Sequence, residues 1–422
     1  MLCPLLSYVS GLHAAMDVDD DDARPTKRPR AAAAPPAWSR SWSDLPVEIA
    51  GEILGRVPSF ADRARFSSAC RQWRLAAAEL HGGALPPPLP WLVSCYKGAF
   101  DSLPYGDRHY LALDSPACLA CDGGWLLFDR RAAAAVAGGG GGGGYLLKKP
   151  ISKAAMELPG SLSGPPAATA EMKICKLVVM SRDLVAAIVS TSGGGGGRAV
   201  ALCRPGTSPS WSAHHPPGGA DHQLGDLRDI AVHGGKLYAL HGHGNLCSYD
   251  LIAGDGEPKV SSCVHHIAGD ALPPNKLPEE HDAGHHLVPS ATGGELLLVR
   301  HLYSRFLGRH FTVFVADVGG ARWSEAAASS LRDQLIFVGT GCSRALTASH
   351  YGGVGAMRGN RVFYTNDVEA YSSTHSYLVY DMIMRSNGPV FPIYDDDYLH
   401  EGRRRYRYED TRYRSWFFPS SV

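Results

Sequence analysis

Gly234-Gly235-Lys236-Leu237-Tyr238-Ala239-Leu240 is a glycine pair, one polar residue and an apolar run, and the pattern returns along the chain. Gly123-Gly124-Trp125-Leu126-Leu127-Phe128 and Gly293-Gly294-Glu295-Leu296-Leu297-Leu298-Val299 repeat it, and Gly359-Asn360-Arg361-Val362-Phe363-Tyr364 is a looser copy. Short apolar runs bounded by Gly, Asn and Asp read as strands. A second run ending in aspartate often follows, as in Leu246-Cys247-Ser248-Tyr249-Asp250, Val313-Phe314-Val315-Ala316-Asp317 and Leu378-Val379-Tyr380-Asp381. Between the first two copies, residues 174–180, 184–189 and 199–203 read as three strands of one more unit. Units begin about 50 to 65 residues apart, a spacing that suits propeller blades with long loops. A hairpin-based sheet cannot hide both faces alone, and radial packing buries each face against a neighbour. Five units are visible, and pairing the Trp91 region with the C-terminal strands supplies a sixth. A β-sandwich, or two small β domains, is the competing arrangement.

The stretch from Ser43-Asp44-Leu45-Pro46 to Cys70-Arg71-Gln72-Trp73 has a different texture. Pro46 suits the first turn of a helix, where its missing N–H costs nothing. Leu45 leads in, and Ile49, Ile53 and Leu54 line one face at helical spacing. Val57-Pro58 ends that helix, and Ser59 with Asp62 three residues on is a capping-box-like restart. Phe66, Cys70 and Trp73 continue at i, i+4 and i+7. A module of about 40 residues is near the lower limit for burying its own core, so this apolar surplus points to a partner.

These residues resemble an F-box, the module that docks onto the Skp-type adaptor of cullin–RING ubiquitin ligases. The resemblance runs from Trp42 to about Leu80 and rests on Leu45-Pro46, Ile53-Leu54, Val57-Pro58 and the Cys70…Trp73 ending. It implies that Leu45, Pro46, Ile49, Ile53, Leu54 and Val57 supply adaptor contacts, with Phe66 and Trp73 anchoring the helices behind them. The following region resembles the propeller of a large plant family, the KIB-type F-box proteins. The resembling residues are Asp122-Gly123-Gly124-Trp125-Leu126-Leu127, Lys149-Pro150-Ile151-Ser152, Asp229-Ile230-Ala231-Val232-His233-Gly234-Gly235-Lys236-Leu237-Tyr238, Gly294-Glu295-Leu296-Leu297-Leu298-Val299-Arg300 and Ser415-Trp416-Phe417-Phe418-Pro419-Ser420. The Gly runs 138–144 and 193–197 interrupt that pattern as loop insertions.

The expected fold is therefore multi-domain, a small all-α F-box of three short helices followed by an all-β propeller of about six blades. Residues 1–37 form a disordered tail, 38–80 the F-box, 81–90 a stiff Pro-rich linker and 91–422 the propeller. The tail carries the acidic run Asp17 and Asp19 to Asp22, then the basic cluster Arg24, Lys27, Arg28 and Arg30, a candidate nuclear import signal. Met16 is as good a start as Met1, because the charged tail begins there. Residues 1–15 lack a basic leading region and are interrupted by Pro4, which argues against a secretory signal peptide.

Lys+Arg and Asp+Glu balance at 41 each, so no overall field draws the 422-residue chain to nucleic acid or membrane. No apolar run reaches the length of about 18 residues that a transmembrane helix needs. The ten cysteines are scattered, mostly singly in apolar runs, as buried free thiols in a reducing compartment are. Enzymatic constellations are thin. The Gly run 138–144 lacks the Lys-Ser/Thr of a phosphate-binding loop. Gly341-Cys342-Ser343-Arg344-Ala345 is half a nucleophile elbow, and His400-Glu401 has Arg404 where a zinc helix needs histidine. Cys118-Leu119-Ala120-Cys121 lacks a second ligand pair. His214-His215, His265-His266 and His285-His286 read as solvated pairs in polar loops. The segment Arg403 to Arg414 interleaves arginine and tyrosine, as nucleic-acid surfaces do, but so does a terminal strand with one buried face.

The sequence thus leads to a non-catalytic substrate receptor of an SCF-type ubiquitin ligase, nuclear or cytoplasmic with nuclear favoured, and with no cofactor, metal or catalytic residue. Its partners are a Skp-type adaptor, through it a cullin, and a target protein. The alternatives are a nuclear interaction scaffold outside any ligase, and a nucleic-acid-associated β protein using the basic tail.

Overall fold

The computed structural model describes residues 42–80, 85–94, 98–111, 119–130, 144–163, 172–191, 197–214, 225–254, 256–275, 279–304, 308–352, 357–365, 377–389 and 414–419. The chain divides into two compact units, one ending at Pro86 and the other spanning Pro87–Ser420.

The first unit is a turn at Trp42–Asp44 and three helices, α1 (Val47–Gly55), α2 (Phe60–Ala69) and α3 (Arg71–Glu79). Pro46 sits one position before the first helical turn, as the N-cap of α1, and its carbonyl accepts from Ala50 N–H at 2.9 Å. Ser59 caps α2 by accepting from Asp62 N–H at 3.3 Å. Cys70 does not continue a helix. Its extended backbone separates α2 from α3, and its Sγ accepts from Trp73 N–H. The core holds Ala50, Leu54, Phe66, Ala76 and Ala77, and Trp73 stacks on Phe66 at 4.4 Å.

The second unit is a ring of six sheets. Blade 1 begins with β1 (Trp91–Ser94), β2 (Ala99–Ser102) and β3 (Asp107–Tyr110). Blade 2 holds β4 (Leu119–Cys121), β5 (Trp125–Asp129), β6 (Tyr145–Lys148) and β7 (Ala155–Leu158). Blade 3 holds β8 (Met172–Val179), β9 (Val185–Thr191), β10 (Arg198–Cys203) and β11 (Ser212–His214). Blade 4 holds β12 (Leu227–His233), β13 (Lys236–His241), β14 (Asn245–Ile252) and β15 (Lys259–Ile267). Blade 5 holds β16 (His281–Pro289), β17 (Leu296–Ser304), β18 (Gly308–Asp317) and β19 (Arg322–Glu325). Blade 6 holds β20 (Gln334–Val338), β21 (Arg344–Thr347), β22 (Arg361–Thr365), β23 (Tyr377–Asp381) and β24 (Ser386–Pro389), and β25 (Arg414–Phe417) ends the order.

The glycine pairs occupy the turn between the first and second strands of blades 2, 4 and 5. Gly234 and Gly235 have φ of 54° and 76°, a left-handed geometry that residues with a Cβ resist. Asn360 takes the same conformation, at φ 60°, in the looser copy. Blade 6 departs from the simple meander. Its strand order is β21-β20-β22-β23-β24, with β20 and β22 parallel and Phe337 stacked on Phe363 at 4.5 Å.

The first and last strands of the propeller unit meet in blade 1. β25 pairs antiparallel with β1, Trp91 opposite Phe417 and Val93 opposite Ser415, so the C-terminal strand becomes the inner strand of the first blade. Trp416 is fully buried, donates its indole N–H to Val338 O at 3.1 Å and meets Phe337 edge-on at 5.1 Å. Phe417 packs on Phe100. Leu89 is fully buried in the same cluster, so the last prolines before β1 belong to the propeller core.

Trp416→Ala should cost about 3–5 kcal/mol of propeller stability, seen as a lower urea midpoint. Removing residues 414–422 should abolish the cooperative transition. Unchanged midpoints in both would show that the ring does not depend on this closure.

Candidate functional site

Two surfaces carry features that packing alone does not explain. On the helical unit, α1 is apolar on more than its inward face. Ala50 and Leu54 turn into the core, whereas Ile49 is 49% and Ile53 37% exposed. Pro46 is exposed beside them, and Leu45 and Val57 are half-buried. The sequence reading gives Leu45, Pro46, Ile49, Ile53, Leu54 and Val57 to the adaptor contact, with Phe66 and Trp73 as anchors behind them. The structure divides them: Leu54 and Phe66 are internal, Trp73 lies against Phe66, and Pro46, Ile49 and Ile53 face solvent. Trp42, 75% exposed, and Leu75, 46% exposed, are further outward apolar side chains. Exposed Ile is costly in water at ~25 cal/mol per Å².

On the propeller, the inner strands of blades 3, 4 and 5 surround the ring axis. Lys176 of β8 and Asp229 of β12 form an ion pair there at 2.5 Å, their side chains 6% and 4% exposed. Asp229 Oδ1 also accepts from Ile230 N–H at 2.9 Å, and Oδ2 from Leu287 N–H of β16 at 2.7 Å. One carboxylate thus ties three blades together, with several donors making good its lost hydration. Cavities lie on either side of this plug, one of about 390 Å³ bordered by Val178, Ile230 and Ser343, the other of about 940 Å³. Lys176 lines both.

The larger cavity is a funnel at the starting ends of β8, β12 and β16. Lys173, Arg198, Arg228, His285, His301 and Arg309 are among its wall residues. His301 stacks on Phe311 at 4.5 Å, and the Arg309 guanidinium lies 5.9 Å from the Tyr364 ring. Burial, reinforced by the nearby charges of His286 and Arg309, brings the His301 imidazole down to about 3. His285 is brought down to about 4, again chiefly by burial. Both rings are neutral at pH 7.

Residues 42–81 match the F-box-like family, and residues 100–381, more than half of the chain, match the KIB1-4 beta-propeller family. The chain belongs to the KIB1-4 beta-propeller family. No curated protein matches it. Among solved structures it is similar to the Dos1 propeller, at 10% identity over 59% of this chain and 56% of that one, with a TM-score of 0.30. It is also similar to a protein assigned as a 6-phosphogluconolactonase from Bacteroides uniformis, at 12% identity over 69% of this chain and 78% of that one, with a TM-score of 0.33. Likeness at this level carries no functional argument.

For this KIB1-4 propeller, the histidine pairs need correction. His285 and His286 lie on β16, and His285 is buried in the funnel wall. His265 and His266 lie on β15, and His214 on β11, so none of these belongs to a polar loop. The signal was available in Leu287-Val288-Pro289, the apolar continuation that precedes a glycine-pair turn. Ser343 of the half-elbow donates to Gly339 O, and among the described residues no histidine bonds it. Among the described residues Cys70, Cys175, Cys203, Cys247 and Cys263 are thiols outside any disulfide. Among the described residues no group of His, Cys, Asp and Glu could hold a metal ion, and no helix is long and apolar enough to cross a membrane. Cys118, His400-Glu401, the Arg403–407 run and the import candidates Arg24, Lys27, Arg28 and Arg30 lie outside the described residues.

Lys176→Met should destabilise the propeller by about 3–5 kcal/mol, because it leaves Asp229 charged and buried without its cation. Adding Asp229→Asn should recover part of that loss. Equal denaturation midpoints for the wild type and the single variant would show that the plug is not structural.

Proposed function

We propose that this chain is the substrate-receptor subunit of a cullin–RING ubiquitin ligase of the SCF type. The observation that carries this reading is the solvent-facing apolar set Pro46, Ile49 and Ile53 on the first helix of an F-box-like module. F-box modules generally bind Skp-type adaptors, and these side chains are the ones an adaptor would cover. The propeller then presents its loops and axial funnel to a target protein.

The mechanism is positioning. The F-box holds the receptor to the adaptor and, through it, to the cullin, while the propeller holds the target. A separately recruited conjugating enzyme then delivers ubiquitin to the target's lysines. Raising the effective concentration of reacting groups accelerates transfer without a catalytic residue in this chain. The basic cluster Arg24, Lys27, Arg28 and Arg30 gives the receptor a nuclear address.

Ile49→Asp with Ile53→Asp should weaken binding of purified Skp-type adaptor by about 2–4 kcal/mol, roughly 30- to 1000-fold. Both side chains face water, so the melting profile and circular dichroism of the variant should match the wild type. Undiminished adaptor affinity in the variant, or none in the wild type, would remove the ligase reading. For the address, changing Lys27, Arg28 and Arg30 to Ala in a fluorescent fusion should lower nuclear enrichment. An unaltered distribution would remove the import signal.

A further inference from the structure

The axial funnel holds polar groups that the fold leaves unused. His285 and His301 are more than nine-tenths buried, and the Nε2 of each has no hydrogen-bond partner. Arg309 Nη1 is likewise buried and unpartnered. Leaving such groups unsatisfied is costly, more so for a charged one. All three residues border the same cavity, and unpaired buried groups call for an explanation.

Charge points the same way. Once Lys176 and Asp229 neutralise each other, Lys173, Arg198, Arg228 and Arg309 face Asp129 and Asp282 across the funnel. Asp282 lies 3.8 Å from His243. None of the four remaining cations has an ion-pair partner among the described residues. The positive charges of Arg300 and Arg228 act on His285, opposed by Asp282, and that of Arg309 acts on His301. A concave, low-dielectric wall concentrates such a field on what enters it.

We propose that the funnel binds an acidic segment of a protein, seating carboxylate or phosphate oxygens against Lys173, Arg198, Arg228 and Arg309, with His285 and His301 in the wall behind them. The assignment to the ligase's target rests on the receptor reading above. A cavity of about 940 Å³ is far larger than one phosphate needs, and its cations are spread over blades 3, 4 and 5 rather than converging on a point. Ile174, Ile188 and Tyr364 also border it, each largely buried. The balanced total of 41 basic and 41 acidic residues gives no extended field of the kind nucleic acid needs.

The test uses the full-length protein and a fluorescein-labelled octaglutamate peptide, followed by anisotropy, with octaglutamine as control and inorganic phosphate as competitor. Octaglutamate should bind, phosphate should compete, rising salt should weaken both, and octaglutamine should not bind. Arg228→Gln with Arg309→Gln should lower octaglutamate affinity at least about tenfold. His301→Phe, which keeps the ring stacked on Phe311 but removes the nitrogen, should lower it less. Arg322→Gln, on β19 and outside the funnel, should leave it unchanged. No octaglutamate binding by the wild type, or equal affinity in folded funnel variants, would overturn the proposal. Phosphate binding without octaglutamate binding would overturn the protein-segment assignment in favour of a small anion. No adaptor is present in this assay, so its failure leaves the adaptor titration standing, and failure of that titration leaves the funnel result standing.

Discussion

The ring has to close. Each blade is a sheet of four or five strands with two largely apolar faces, and only a neighbour on each side keeps those faces from water. Five blades are built from consecutive strands, but blade 1 takes its inner strand from the far end of the chain. The β1–β25 ladder therefore joins residues more than three hundred positions apart, and the aromatic side chains of β25 bind that blade to blade 6 through Phe337 and Val338. Contacts so distant in sequence are among the last to repay their entropy of closure, which makes this seam the point on which the cooperativity of the domain turns.

At the axis a second constraint operates. Inner strands from several blades converge, and backbone groups at their tips must find partners in a crowded space. Asp229 resolves this for blades 3, 4 and 5 by accepting from Lys176, Ile230 N–H and Leu287 N–H at once. The plug divides the axial channel and gives the funnel a charged floor. Above it, His301 packs against Phe311 and Tyr364 and Arg309 lies near the Tyr364 ring, and the His301 Nε2 and Arg309 Nη1 atoms have no hydrogen-bond partner.

The helical unit follows the opposite logic. Three helices of nine or ten residues give a core of Ala50, Leu54, Phe66, Ala76 and Ala77, in which only two side chains are large. So small a core leaves apolar residues over, and α1 carries two of them outward at Ile49 and Ile53. Their i, i+4 spacing puts them on one strip of the helix surface, while Ala50 and Leu54, at the same spacing, make the inward strip. Pro46 fixes where the helix begins and therefore which residues fall on each strip.

Much of this was written locally. Glycine pairs need positive φ, so their recurrence marks the same turn in successive blades, and the terminal Trp416-Phe417-Phe418 has no place to go but a core. Apolar spacing and capping likewise set the helices, because period and end signals depend on neighbours three or four residues away. The sequence alone thus determined the repeating strand units, the three-helix module and the family to which they point. Tertiary structure alone decided the rest. Ile49, Ile53 and Leu54 look alike in the chain, and only the position of α3 tells which is core. His285-His286 looked like a solvated pair, and only the convergence of β8, β12 and β16 turned it into a wall of the funnel. Lys176 and Asp229 are 53 residues apart, and nothing within either strand announces the other. Local patterns reflect local free energies, whereas a buried charge finds its partner only when distant strands are brought onto a common axis.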